Sequence, residues 1–77
     1  MINELKKRLK DGEVSFTYRK KDGSLRTARG TTKMDSVPEE HQPKGNYTSP
    51  DNVCRYYDIN SEGWRSFLNE NLVSIDD

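Results

Sequence analysis

Alternation of apolar and polar positions in the first third of the chain predicts a pair of antiparallel strands. Val14, Phe16 and Tyr18 occupy every second position of one segment, with polar residues between them. This period of two is typical of a strand that buries one face. The Asp-Gly step in residues 21–24 supplies the positive φ of a tight turn. We therefore expect a β-hairpin whose second strand covers residues 25–32.

The sequence leaves the register of this hairpin open between two alternatives. A two-residue loop would place Leu25, Thr27 and Arg29 on the same face of the hairpin as Phe16. A three-residue loop with a glycine bulge would instead place Arg26, Ala28 and Gly30 on that face. The apolar side chain of Leu25 favours the first alternative, and the small residues beside bulky aromatics favour the second. Because a slip of one residue exchanges the two faces of a strand, the pattern does not decide which arginines point outward.

The N-terminal segment, residues 1–12, has the spacing of a helix instead. Ile2, Leu5 and Leu9 recur at intervals of three and four residues, which places them on one face. Basic residues crowd the end of this segment, where positive charge is favourable for the helix dipole. Since so short a helix is marginal alone, we expect its apolar stripe to dock on the β structure.

The second half of the chain repeats the strand–turn–strand pattern with more aromatic residues. We expect a third strand at 52–59, a fourth at 64–68, one helical turn at 69–71 and a short closing strand at 72–75. Together with the first hairpin, these elements predict a mainly β protein, a small β-barrel of about five strands with a short N-terminal helix. The length is that of one domain, over residues 1–77.

Residues 33–51 hold all three prolines and show no usable periodicity, so we expect a long loop. Loops of this length in compact domains are usually functional or mobile. Val37 and Tyr47 are the residues expected to anchor it. His41, the only histidine, is expected to be an exposed loop residue rather than a base or a metal ligand.

Charge changes this picture more than the overall composition does. The net charge is zero and 30% of the chain is hydrophobic. Residues 1–33 carry ten Lys/Arg against four Asp/Glu, a net of +6, whereas residues 34–77 carry three against nine, a net of −6. A net charge of zero therefore leaves room for a local anion-binding patch but excludes a uniformly basic protein.

The single cysteine and the lack of long apolar runs bear on the cellular compartment. Cys54 has no partner for a disulfide within the chain. No apolar run approaches the roughly 20 residues of a membrane span, and the basic N-terminus lacks the apolar core of a signal peptide. We therefore expect a cytoplasmic protein that does not bind a membrane.

Catalytic chemistry finds little support in the residue types present. His41 and Cys54 are the only imidazole and thiol, and two such ligands cannot fill a structural zinc site. A nucleophilic cysteine needs a base nearby, and the sequence places none beside Cys54, which we expect to be a structural thiol. We predict a protein without enzymatic activity, metal or cofactor.

A cluster of basic residues on the first hairpin is the strongest candidate for a binding site. Its members are Arg19, Lys20, Lys21, Arg26 and Arg29. Lysine and arginine neutralise phosphates, and Tyr57 or Trp64 are candidates for stacking on bases. The alternative is a solvated hairpin edge on which lysines block edge-to-edge pairing. Arg65 either heads an anion site or stacks or forms an ion pair inside the barrel, and Trp64 either offers a binding platform or covers the core.

Several short motifs, in matching order, resemble those of WYL domains. They are Val14-Ser15-Phe16-Thr17-Tyr18, Gly23, Arg26, Arg55-Tyr56-Tyr57, Gly63 and Arg65-Ser66-Phe67-Leu68. The hairpin from Lys20 to Arg26 and the segment from Gly63 to Phe67 resemble more closely a family of short stand-alone WYL-like proteins from Bacteroidetes and their phages. The resemblance implies an Sm-like (SH3-like) barrel. It also implies a regulatory module that senses nucleic acids or nucleotides through arginines.

The chain departs from the regulatory WYL pattern in three ways. It lacks the Trp-Tyr-Leu triplet, the later arginine of the last motif and a preceding helix-turn-helix. The basic hairpin nevertheless predicts a binding module for an anionic ligand, such as single-stranded nucleic acid or a nucleotide. The alternative is a protein-interaction or inhibitor module that acts on a host protein, because its two oppositely charged halves can steer a partner. Self-association through strand edges is a third expectation.

Overall fold

The computed structural model of the chain describes residues 1–43 and 49–77. Within these residues it contains one α-helix and five strands: α1 (Ile2–Asp11), β1 (Val14–Arg19), β2 (Leu25–Thr31), β3 (Val53–Asp58), β4 (Gly63–Leu68) and β5 (Leu72–Ile75). Three short 3₁₀ turns lie at Met34–Ser36, Glu39–His41 and Asn69–Asn71. The predicted helical turn at 69–71 and the predicted closing strand are therefore both present.

The five strands form one antiparallel sheet in the order β4-β3-β2-β1-β5. Neighbouring strands are about 4.8 Å apart, so β4 and β1 would lie about 14 Å apart in a flat sheet. The ring centroids of Phe67 on β4 and Tyr18 on β1 are nevertheless only 4.3 Å apart, and the rings are stacked. The sheet must therefore curl around its core, as the prediction of a small SH3-like or Sm-like barrel requires.

The hairpin adopts the three-residue loop, which resolves the register. Phe16 pairs with Ala28, and Tyr18 pairs with Arg26. The Lys20 N–H donates to the carbonyl of Ser24 at 2.7 Å, and Gly23 supplies a positive φ of 89° in the loop. Leu25 is consequently 56% exposed on the outer face.

Gly30 shows why the small residues decided this register. A Cβ atom built on Gly30 would lie 2.5 Å from Cδ2 of Tyr56. The fully buried ring of Tyr56 therefore occupies the space that any larger residue at position 30 would need. The large side chain of Tyr56 on β3 thus requires small residues on the facing side of β2. This steric constraint outweighs the stabilisation that burying Leu25 would give.

Four aromatic side chains dominate the core. Phe16, Tyr18, Tyr56 and Phe67 contact one another with ring centroids between 4.3 and 6.2 Å apart. The hydroxyl groups of Tyr18 and Tyr56 are hydrogen-bonded to each other at 2.9 Å, so that burying them leaves neither without a partner. Cys54 is 1% exposed beside this cluster.

Helix α1 docks on the barrel through its apolar stripe. Leu5 and Leu9 are fully buried within the core cluster, and Ile2 packs against it. The carbonyl of Leu9 accepts hydrogen bonds from the Thr32 N–H at 2.9 Å and the Thr31 hydroxyl at 3.1 Å. These contacts fix the last turn of the helix beside the end of β2.

The described part of the long loop packs against β3 and β4. Val37 is 3% exposed, as expected for an anchor, whereas Tyr47 lies outside the described residues. The Gln42 side-chain amide donates to the carbonyls of Met34 and Val37, each at 3.0 Å. His41 is half-buried rather than exposed, because its ring lies against Tyr57 with centroids 5.6 Å apart.

Candidate anion-binding groove

Four of the basic residues predicted as ligand contacts line one groove between the hairpin tip and β4. We call it the tip groove, and its volume is about 510 Å³. Its lining includes Tyr18, Arg19, Lys20, Lys21, Arg65 and Phe67. The curled sheet brings β4 around to face the hairpin tip, which is why residues distant in sequence meet here. The groove thus combines four positive charges with a partly aromatic wall.

The one carboxylate among the described lining residues of the tip groove is Asp22, and local hydrogen bonds hold it. Its Oδ1 atom accepts hydrogen bonds from the hydroxyl of Ser24 at 2.6 Å and from the backbone N–H of Ser24 at 2.9 Å. These bonds lower the pKa of Asp22. Arg19 donates from Nη1 to the carbonyl of Gly23 at 2.7 Å, which ties its side chain to the same turn. The turn therefore has a defined geometry in which Asp22 bonds to Ser24.

A buried carboxylate positions Arg65 at the other side of the tip groove. Asp58 is 1% exposed, and its Oδ2 atom lies 2.8 Å from Nη2 of Arg26 and 3.5 Å from Nε of Arg65. Its Oδ1 atom accepts the N–H of Ser61 at 3.0 Å. Burial opposes ionisation of Asp58, but the bonds from Ser61 and Arg26 and the nearby charge of Arg65 together hold its pKa below the usual value. One carboxylate thus faces two guanidinium groups, which leaves an excess of positive charge beside the groove.

Arg26 and Arg29, both predicted as ligand contacts, do not line the tip groove. Arg26 reaches Asp58 and the hydroxyl of Ser61. Arg29 lies on the opposite face of β2, where it contacts Glu13 at 3.0 Å and Asp77 at 3.5 Å. The structure therefore separates the five basic residues of the hairpin into a group at the tip and two arginines that pair with carboxylates.

The prediction of Tyr57 as a stacking residue is wrong, because its side chain is buried. Tyr57 is 2% exposed, and its ring is covered by His41 and by Trp64, whose centroid is 5.7 Å away. Trp64 is half-buried and does line the tip groove. Its indole N–H donates to the carbonyl of His41 at 2.6 Å, and the guanidinium of Arg55 lies 4.2 Å from its ring centroid. Trp64 therefore helps to hold the long loop and is rigidly placed at the groove.

Cys54 and His41 are not brought together into a reactive site. Burial raises the pKa of the Cys54 thiol to about 11, which disfavours the thiolate at neutral pH. The His41 ring contacts Tyr57 on the other side of the sheet from the core that holds Cys54. Across residues 1–43 and 49–77, no group of three or more His, Cys, Asp or Glu side chains is arranged to hold a metal ion.

A second groove lies between α1, the long loop and β3, and of its lining residues only Trp64 was predicted as a ligand contact. We call it the helix groove; its volume is also about 510 Å³. Its lining includes Lys6, Leu9, Lys10, Cys54, Arg55 and Trp64. The spacing of Lys6 and Lys10, one helical turn apart, was a signal that could have placed both on one face. What the sequence could not show is that this face adjoins Arg55.

A family model described as WYL_2, an Sm-like SH3 β-barrel fold, matches residues 2–73. The chain belongs to the WYL_2 family. The match extends from α1 into β5, so it includes both strands of the basic hairpin and all of β4. No curated protein and no solved structure matches the chain. The WYL_2 fold confirms the resemblance derived from the short motifs and fits a small binding module.

Helix α1 has only ten residues, and no helix in the described ranges is long and apolar enough to cross a membrane.

Proposed function

We propose that this WYL_2 protein is a non-enzymatic binding module that takes the phosphate groups of a nucleotide or a single-stranded nucleic acid into the tip groove. The observation that carries the proposal is the convergence of Arg19, Lys20, Lys21 and Arg65 on one concave surface. The chain as a whole has no net charge. Arg19, Lys20 and Lys21 are adjacent in sequence, and the folding of the chain adds Arg65 to them, so the groove is positively charged although the chain as a whole is neutral.

Phosphate is the anion that best suits this arrangement. Lysine presents a mobile point charge, whereas arginine presents a planar fork that matches phosphate oxygens. The tip groove offers two lysines from the hairpin turn and two arginines that already have a partner, since Arg19 donates to the carbonyl of Gly23 and Arg65 lies 3.5 Å from Asp58. Anchored arginines lose less conformational entropy on binding, so we expect them to orient the ligand while the lysines adapt to it.

Asp58 supports the site without contacting the ligand. Its carboxylate is buried, so a phosphate in the groove cannot reach it, yet it restrains the guanidinium of Arg65. The restraint is loose at 3.5 Å, and the side chain of Arg65 remains 45% exposed. Arg65 can therefore bind a ligand phosphate while Arg26 continues to balance the charge of Asp58.

Fluorescence anisotropy with a labelled oligothymidylate of about twelve nucleotides, within the site size of small nucleic-acid-binding barrels, tests the proposal. We expect micromolar-range binding at about 50 mM salt that weakens strongly by about 200 mM, because counterions are released from the phosphates. The double variant Lys20→Ala/Lys21→Ala removes two phosphate contacts. Its affinity should fall about tenfold, and the salt slope should become shallower by about 1.4.

The matched control is the double variant Lys7→Ala/Lys33→Ala, which loses the same charge from two exposed residues that line neither groove. It should bind within about twofold of the wild type, because only nearby charges act strongly at this ionic strength. Equal losses in both double variants would contradict a defined site. No binding of wild type at low salt would contradict the proposal as a whole.

The segregation of charge also suits an acidic protein partner, the alternative that the sequence raised. Unlabelled poly-glutamate added as a competitor separates the two ligand classes. Displacement of the oligonucleotide by free nucleotide or inorganic phosphate, with poly-glutamate much weaker at equal charge, supports phosphate recognition. Equal competition by poly-glutamate would instead favour a protein-interaction module that takes acidic segments.

A further inference from the structure

The tip groove and the helix groove meet at one residue, Trp64, which lines both of them. We propose that the ligand is single-stranded nucleic acid and that it runs through both grooves, past Trp64, from the hairpin tip to helix α1. This inference rests on the proposed function and extends it in two ways. It selects a polymer over a mononucleotide, and it assigns a binding role to Lys6, Lys10 and Arg55.

The distribution of charged residues in the two grooves is the strongest support for this path. Among the described lining residues, the two grooves together hold seven lysines and arginines: Lys6, Lys10, Arg19, Lys20, Lys21, Arg55 and Arg65. The same lining contains one carboxylate, Asp22, which already bonds to Ser24. The whole chain has 13 basic and 13 acidic residues. Seven of the 13 basic residues thus line two grooves that share Trp64, whereas one of the 13 acidic residues does so among the described lining residues.

The helix groove presents its charges at defined positions. Lys6 and Lys10 are one turn apart on α1, a helix fixed by the buried side chains of Leu5 and Leu9. Arg55 projects from β3 and stacks over the indole of Trp64. The groove is therefore bordered by a rigid helix on one side and by a stacked Arg–Trp pair on the other. Arginine stacked on an aromatic ring keeps its positive charge.

Trp64 is held as a fixed divider between the two grooves. Its N–H bonds to the carbonyl of His41, and its ring meets Tyr57 edge to face. A nucleotide in either groove would therefore meet the same rigid indole. Aromatic side chains in this position interact with bases of any sequence, because every base has a π face.

A linear polyanion is the ligand that can occupy both grooves at once. A mononucleotide has its phosphates at one point and would fill one groove of about 510 Å³. A duplex is stiff, with a persistence length of about 50 nm, whereas the two grooves lie on a molecule of only 32 × 24 × 23 Å and share Trp64. A single strand is flexible enough to follow this path.

The test compares a short and a long oligothymidylate, of about three and about twelve nucleotides, on either side of the lower limit of about four nucleotides for one small barrel. The double variant Lys6→Ala/Lys10→Ala should weaken binding of the long oligomer about tenfold, with a salt slope shallower by about 1.4. Binding of the short oligomer, which the tip groove can hold alone, should change by less than about twofold. Alanine favours helix, so α1 should be retained, and circular dichroism checks this.

The control Lys7→Ala/Lys33→Ala removes the same charge, with Lys7 on the same helix but outside the groove lining. It should leave both oligomers unaffected. Fluorescence of Trp64, the only tryptophan, gives a second readout. The long oligomer should change Trp64 emission in wild type, and this change should be smaller in the Lys6→Ala/Lys10→Ala variant at saturation.

The outcomes separate this inference from the proposed function. If Lys20→Ala/Lys21→Ala weakens both oligomers while Lys6→Ala/Lys10→Ala weakens neither, the tip groove binds the ligand alone and the inference is overturned. Equal losses for the short and the long oligomer in Lys6→Ala/Lys10→Ala would also overturn it, as would tighter binding of a matched duplex. If Lys20→Ala/Lys21→Ala has no effect on either oligomer, the proposed function fails together with the inference.

Discussion

The tip and the body of the β1–β2 hairpin carry charges of the same sign but place them in different surroundings. At the tip, Arg19, Lys20 and Lys21 line an open groove together with Arg65. In the body, Arg26 pairs with the buried carboxylate of Asp58 on β3. Arg29 pairs with the carboxylates of Glu13 and Asp77. In one hairpin, therefore, some basic residues hold the barrel together and others are directed to solvent.

This comparison shows that the folded position of the acidic residues decides which cations are available to a ligand. Asp58 becomes the partner of Arg26 because β3 pairs with β2, with Gly30 opposite Asp58. Asp22 is next to Lys21 in sequence, but its carboxylate accepts a hydrogen bond from the hydroxyl of Ser24. Counting charges along the chain therefore identifies the hairpin as basic but cannot distinguish its two parts.

The largest expected effect comes from removing Arg26 in the body of the hairpin. Arg26→Ala leaves the carboxylate of Asp58, which is 1% exposed, without its closest partner. We expect the free energy of unfolding to fall by about 3 kcal/mol, as in other broken buried ion pairs. Urea unfolding followed by circular dichroism measures this loss.

Arg29→Ala is the matched control for Arg26→Ala. Its ion pairs are almost half exposed, and we expect it to cost less than about 1 kcal/mol. Similar losses for the two variants would contradict the distinction between a buried and a surface pair.

The same buried pair predicts how stability depends on pH. The pKa of Asp58 in the folded protein lies below its ordinary value of 3.8. The folded state therefore binds this proton less readily than the unfolded state, and the stabilisation is present above pH 3.8 and lost as the pH falls through the folded pKa. We expect the free energy of unfolding to decline as the pH is lowered from about 5 towards about 2.

The variant Asp58→Asn tests the source of this dependence. It should be less stable near neutral pH and show a flatter decline in acid. A weaker decline should persist, because Asp22 and Asp76 also have lowered pKa values, through hydrogen bonds to Ser24 and to Ser74 and Thr17. An unchanged acid decline in Asp58→Asn would assign the effect to other groups.

A smaller effect is expected from the turn that shapes the tip. Gly23 has a φ of 89°, a conformation that costs other residues about 1–2 kcal/mol. We expect Gly23→Ala to lower the free energy of unfolding by about 1 kcal/mol and to weaken oligonucleotide binding, because the loop that carries Lys20 and Lys21 must change shape. Thermal unfolding and anisotropy measure the two effects.

Gly12→Ala is the control for Gly23→Ala. Gly12 has an extended backbone with a φ of 166°, and nothing lies within 4 Å of its Cβ position. We expect a change in stability within about 0.5 kcal/mol and no change in binding. A loss of stability in Gly12→Ala equal to that in Gly23→Ala would show that the turn conformation is not the cause.

Local pattern was enough to predict most of the fold. The alternation of Val14, Phe16 and Tyr18 gave β1, and the spacing of Leu5 and Leu9 gave α1, because each pattern reflects a single buried face. The hairpin register could not be decided in this way. It depends on the ring of Tyr56 against Gly30, a contact between residues that are 26 positions apart along the chain.

For the same reason, the sequence predicted the candidate site only in part. The basic residues were evident, but their separation into tip and body depends on Asp58, whose place beside Arg26 requires the pairing of β2 with β3. Tyr57 was proposed for stacking as an aromatic residue that flanks the basic hairpin. The long loop covers its ring through His41, and no periodic pattern in the loop indicates this.

Stability and binding, measured together in Lys20→Ala/Lys21→Ala, test most directly whether the hairpin tip binds the ligand. We predict a free energy of unfolding within about 0.5 kcal/mol of wild type, as expected for exposed residues. We also predict an affinity for the twelve-nucleotide oligomer that is about tenfold weaker, while Lys7→Ala/Lys33→Ala retains both properties. Unchanged affinity in Lys20→Ala/Lys21→Ala, or a loss no greater than in Lys7→Ala/Lys33→Ala, would contradict the assignment of the hairpin tip to ligand binding.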